Sequence, residues 1–170
     1  MMMGGIILLQ QLSMSVFAQS NEVKNLEGTI QWGVPKEGYA MSLSITNQEI
    51  APEQAVVLTV KVKNISQKEL LLIESGPGAD FNFIVKDAAG KEAPKLRYQL
   101  HLEANEGVYT SNVVMSMKPG QVIEYQQNVS RRFDMSLSGK YTVQAYRNVV
   151  RKAGHLLVEI KSNILGVRIQ

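Results

Sequence analysis

The chain has 170 residues, 45% of them apolar, a formal net charge of +3 and no cysteine. That length suits one domain whose core can stand without cross-links, and the missing cysteine excludes disulfides, thiolate metal sites and a lipid-modified N-terminal cysteine. Plentiful Val and Ile, few prolines and no repeat of fixed period exclude a disordered or repeat-built chain.

MMMGGIILLQQLSMSVFAQS opens the chain without a charged side chain and with an apolar stretch from Ile6 to Phe17. The stretch is shorter than the roughly 20 residues a membrane helix needs. Val16-Phe17-Ala18 before Gln19 fits a signal-peptidase site, so residues 1–18 read as a secretory signal peptide, although no Lys or Arg precedes the apolar run. An uncleaved apolar arm lying on the domain is the competing reading. Residues 19–54 then form an N-terminal extension with the first strands, and residues 55–170 the core of the same domain. Export without cysteine points to a bacterial periplasm or the exterior.

Trp32 and Tyr39 stand in QWGVPKEGYAMSL, aromatic and rich in Gly and Pro. The segment suits a stacking platform for a sugar or peptide, or a hydrophobic staple over one end of the domain. Val56, Leu58, Val60 and Val62 alternate with Val57, Thr59, Lys61 and Lys63, which predicts a strand with one buried face. After Asn64-Ile65-Ser66, Glu69 to Glu74 is so apolar that both of its faces are expected to meet protein. Ser75-Gly76-Pro77-Gly78 ends that strand, with both glycines free to take positive φ. Phe81, Phe83 and Val85 then face inward, Gly90 takes the left-handed position of a hairpin turn, and Lys95 to Leu102 returns as the partner strand.

Glu103 to Asn112, EANEGVYTSN, lacks a pattern and reads as a long exposed loop, with Val108 and Tyr109 as its bulky apolar anchors. Lys118-Pro119-Gly120 turns the chain into a strand over Gln121 to Val129. FDMSLSGKYTVQAYR places Tyr141 two residues after Gly139, where a tyrosine corner would send its hydroxyl back to the backbone a few residues upstream, with Leu137 expected to cap the core. Leu165, Val167 and Ile169 point inward along a last strand. Residues 131–170 hold eight basic side chains against two acidic ones. The basic ones are Arg131, Arg132, Lys140, Arg147, Arg151, Lys152, Lys161 and Arg168, which read as a solvated surface or an anion-binding face. Together these signals predict an all-β immunoglobulin-like Greek-key β-sandwich.

LTVKVKNISQKELLL, GADFNFIVKDAAGKE, MKPGQVIEY and MSLSGKYTVQAYR, spread over residues 55–147, resemble the bacterial intracellular proteinase inhibitors of the BsuPI type. The resemblance implies an immunoglobulin-like fold and, as one option, proteinase inhibition. Its motifs are structural, and no functional residue is carried over from it.

Catalytic constellations are thin. His101 and His155 fall in unrelated segments, and no G-x-S-x-G elbow, Gly-rich phosphate cradle or H-E-x-x-H is present. Asp80, Asp87 and Glu92 lack calcium-loop spacing. The sequence reading is therefore an exported, non-catalytic immunoglobulin-like module binding a protein or envelope ligand, with a BsuPI-type inhibitor as the alternative. It expects no cofactor or metal, no nucleic acid partner and no stable membrane span.

Overall fold

The computed structural model describes residues 30–76, 78–105, 113–150 and 157–170. The signal expected over residues 1–18, Val108, Tyr109 and His155 lie outside them. The strands are β1 (Tyr39–Ser44), β2 (Glu49–Ile50), β3 (Val57–Asn64), β4 (Leu70–Glu74) and β5 (Asn82–Asp87). After helix α1 (Arg97–Ala104) come β6 (Val113–Met117), β7 (Val122–Asn128), β8 (Gly139–Val150), β9 (Leu157–Lys161) and β10 (Leu165–Ile169).

They form three open sheets, ordered β1-β3-β7, β2-β10-β8-β5 and β4-β6. The long β8 takes β10 along its first half and β9 along its second, while β5 lines its other edge. Every described strand pair is antiparallel except the two-residue pairing of β2 with β10. The buried faces join in one apolar cluster that includes Met41, Leu58, Val60, Val62, Phe81, Phe83, Val143 and Val167. Alternation explains that face directly, since successive strand residues point to opposite sides, and each buried Val or Leu contributes about 1.5–3 kcal/mol.

The expected fold is corrected here. The chain is a mixed α/β fold with open, unclosed sheets, not a pure immunoglobulin β-sandwich, so the expected all-β class and the BsuPI-type resemblance both fail at this level. The decisive segment is Lys95–Leu102, expected as a strand, where α1 forms instead. Tyr98, Leu100 and Leu102 alternate like a strand, yet Arg, Gln, Leu, Glu and Ala around them favour a helix. In the helix the residue buried is Gln99, while Tyr98 and Leu100 are exposed.

Three smaller differences follow from packing. Leu70 and Leu72 of β4 are buried but Leu71 is 52% exposed, so only one face meets protein. β6 arises just after the expected loop, from residues the sequence left unassigned. Gly76 takes φ +125°, as expected, but Gly78 does not need positive φ; a Cβ there would lie 2.4 Å from the Tyr98 hydroxyl. Gly78 is where α1 closes on the turn after β4.

Candidate functional site

The segment before β1 doubles back on it through a two-residue turn. Glu37 and Gly38 both have positive φ, 51° and 86°, and Lys36 and Tyr39 exchange backbone bonds of 2.9 Å. Two positive φ values in succession are the signature of a type I′ turn, whose twist suits a hairpin. The Gly33 amide then donates to the Met41 carbonyl at 2.8 Å, and a Cβ on Gly33 would lie 2.1 Å from the Lys161 carbonyl oxygen. Only glycine fits so close to another backbone. Trp32 is thereby set beside the turn between β9 and β10.

That turn is itself pinned. The Ser162 hydroxyl accepts the Ala145 amide at 2.9 Å and donates to the Asn163 carbonyl at 2.6 Å, and Gln144 Nε2 donates to the Ser162 carbonyl at 2.9 Å. Asn163 reaches β1 with both ends of its amide, accepting from the Leu43 amide at 2.7 Å and donating to the Leu43 carbonyl at 3.0 Å.

Between the two walls lies an open trough of about 700 Å³, lined by Trp32, Val34, Pro35 and Ile164 and by the polar Lys36, Gln144, Glu159 and Lys161. The indole is half-buried, and the Lys63 ammonium lies 5.9 Å from its centroid, within reach of a cation–π contact. Val34 and Ile164 are exposed. Lys161 and Glu159 pair at 3.2 Å on the rim, both about half exposed. The trough thus combines an aromatic surface, exposed aliphatic carbons and a polar rim, all on pinned backbone.

Of the candidate residues that the structure describes, Trp32 lines this trough and Tyr39 and Tyr141 do not. Tyr39 is buried and its hydroxyl donates to the Leu71 carbonyl at 2.6 Å, which makes it a tie between β1 and β4. Burial holds that phenol above its ordinary pKa, with Arg147 opposing. Tyr141 donates to the Leu137 carbonyl at 3.0 Å, the bond a tyrosine corner makes, here in an open sheet. Leu137 itself is 76% exposed and caps nothing. Tyr141 also helps line a cleft of about 390 Å³ whose rim mixes Asp87, Glu92 and Asp134 with Lys91 and Lys140.

The basic residues of this segment divide: Arg131, Lys140, Lys161 and Arg168 are exposed, as a solvated surface requires, while Arg132 and Arg147 are not, and Arg151 and Lys152 lie outside the described residues. Arg132 and Arg147 are each 2% exposed. Arg132 donates to the Phe81 carbonyl at 2.7 Å and to the Gly78 carbonyl, with its guanidinium 5.1 Å from the Phe83 ring centroid. Arg147 donates to the Ile73 carbonyl at 2.6 Å, lies 4.0 Å from the Asp80 carboxylate and sits 4.8 Å from the Phe81 ring centroid. Beside it the Tyr125 hydroxyl donates to Glu74, and burial raises that phenol's pKa, helped by the Glu74 bond. Burial likewise raises the Asp80 pKa, opposed first by the Ser75 amide, which donates to it at 2.7 Å, and then by Arg147. The two arginines clamp the turn between β4 and β5. Among the described residues Nε and one terminal nitrogen of Arg147 find no acceptor, which suits a bridging water. Among the described residues no three His, Asp or Glu side chains converge as metal ligands.

No family model and no curated protein matches the chain. Solved structures share parts of its course at low similarity. A β-glucosidase from Listeria innocua in complex with isofagomine matches with a TM-score of 0.40 and 9% identity, over 77% of this chain and 16% of that one. PapD-like domain 7 of human CEP192 matches at 0.37 and 10% identity, over 95% and 98%. AvmM, which catalyses macrocyclization in alchivemycin A biosynthesis, matches at 0.39 and 10% identity, over 79% and 89%. Likeness at this level carries no argument about function.

Proposed function

We propose that the Trp32 trough recognises a linear oligosaccharide without transforming it. The immunoglobulin-like module and the proteinase inhibitor are both withdrawn, because each depended on a sandwich the fold does not form. What supports the saccharide is the trough alone. A pyranose ring has an apolar C–H face and a rim of hydroxyls; an indole offers the first a flat surface, and Glu159, Lys161, Gln144 and Lys36 offer the second charged and neutral hydrogen-bonding groups. The observation that carries the reading is Trp32 held at the trough wall by Gly33, whose backbone touches Lys161 and Ser162. Pinning of that kind lowers the ordering cost of binding.

Calorimetric titration of the full chain with cello-, chito- and malto-oligosaccharides tests this. At least one series is expected to bind, and Trp32→Ala to weaken it by about 2 kcal/mol, the size of a hot spot, with the thermal melt nearly unchanged. Binding that is indifferent to Trp32→Ala, or no binding to any series, contradicts it.

A further inference from the structure

We infer that the saccharide recognised in the Trp32 trough is an acidic one, a hexuronate oligomer whose carboxylates pair with Lys36 and Lys63; this rests on the saccharide reading and adds the charge of the ligand to it. Among the described residues the charged side chains lining the trough are Lys36, Glu159 and Lys161. Glu159 and Lys161 hold each other at 3.2 Å, so that pair is close to neutral and the charge left on the lining is the Lys36 ammonium. Lys36 is exposed, and Glu37, the next residue, lies outside the lining. Lys63 adds a second ammonium, over the indole at 5.9 Å from its centroid.

The placing of Lys63 follows from the register. Lys61 and Lys63 stand two residues apart on the same face of β3. Lys61 lies opposite Glu124 of β7 and pairs with it at 3.2 Å. Lys63 lies between Ala40 of β1 and Val122 of β7, neither of which carries charge, and its ammonium goes to Trp32 instead. An ammonium over an indole keeps its full charge, so it still attracts an anion brought to that ring. A uronate keeps the apolar C–H face that a neutral sugar offers the indole and replaces the C6 hydroxymethyl by a carboxylate, so one ring can meet the indole and an ammonium together. Because the trough is open, that carboxylate stays partly hydrated and escapes most of the desolvation cost of a buried ion pair. Each exposed pair is worth up to about fivefold in affinity, and two together about tenfold.

Calorimetry on the full chain compares each neutral series with the same oligosaccharides carrying a carboxylate in place of the C6 hydroxymethyl, in about 0.02 M and about 0.5 M sodium chloride. The acidic form is expected to bind about tenfold more tightly at the lower salt, with the advantage shrinking to about twofold or less at the higher. In Lys36→Gln the low-salt advantage should fall by about threefold or more; Lys63→Gln, read the same way, serves should Lys36→Gln fail to fold. Neutral and acidic forms that bind alike through Trp32 overturn the acidic ligand and leave the saccharide reading standing. No binding by either form, or binding indifferent to Trp32→Ala, overturns both. A preference for the acidic form that both lysine variants leave intact, or that high salt does not reduce, belongs to another surface and overturns the pairing with Lys36 and Lys63.

Discussion

Asn64 closes the bend after β3 with every atom of its amide. Nδ2 donates to the Lys68 and Met117 carbonyls at 2.7 and 2.8 Å, and Oδ1 accepts from the Ser66 amide and hydroxyl at 2.8 Å each. Asn64→Ala leaves those groups unpaired in a buried place and should cost about 2–4 kcal/mol in urea unfolding; a loss below about 1 kcal/mol would mean that water replaces the amide. The Tyr141 bond ends on the carbonyl of an exposed residue, so Tyr141→Phe should cost only about 1 kcal/mol. Asp80 gives a pH test. Its raised pKa means that the native state binds the proton more tightly than the unfolded chain, so its stabilising contribution is full below the unfolded value of 3.8 and is lost as pH rises through the native one. Wild type should therefore gain stability relative to Asp80→Asn as pH falls from about 6 to about 4; the opposite slope would show that the Arg147 attraction outweighs burial. Arg147 was partly legible in the sequence, because it follows Tyr141, Val143 and Ala145 on the inward side of β8 and precedes Val149. Its charge argued for solvent, and its partners Ile73 and Asp80 come from distant segments that no local pattern announces.

The elements that sequence reasoning located well are those whose burial follows a period of two. β3, β5 and β10 have their expected inward residues, Leu58 to Val62, Phe83 with Val85, and Leu165 to Ile169. α1 was missed because its apolar residues happen to fall at i and i+2 while its helix buries a glutamine, so neither period describes what is inside. β6 was missed because its exposed valines gave no alternation. The segment from Trp32 to Lys36 was noticed for its composition, but its fixing depends on Gly33 meeting Lys161, a contact across 128 positions of chain. Gly33→Ala tests that fixing. The added methyl would meet backbone at 2.1 and 2.6 Å, so the segment must lift, costing about 1–3 kcal/mol and changing the indole environment. Fluorescence and oligosaccharide affinity identical to wild type would show that Trp32 is positioned by something else.

At the scale of the molecule, three open sheets share one apolar cluster, and side chains join the smallest sheet to the others. Tyr39, Arg147 and Tyr125 each reach β4, at Leu71, Ile73 and Glu74. These ties explain how a two-stranded ribbon keeps its place where, among the described residues, no strand lies on the outer edge of β4. Among the described residues no helix is long and apolar enough to cross a membrane. The order of strand motifs that resembles BsuPI-type inhibitors lies in local turn chemistry, Asn64 to Ser66 and Tyr141 among it, and such chemistry recurs wherever antiparallel strands turn. It therefore carries no information on how the sheets close, and the resemblance fails there. The trough depends on the arrangement of whole elements, bringing the extension before β1 against the end of β9. Because Trp32 is the chain's single tryptophan, its indole Nε1–H gives one resonance that reports on the trough alone. Titration with a bound oligosaccharide, followed by proton–nitrogen correlation spectra, should move that resonance saturably together with the amides of Lys161 to Ile164. An indole signal that stays fixed while amides elsewhere shift would contradict recognition in the trough.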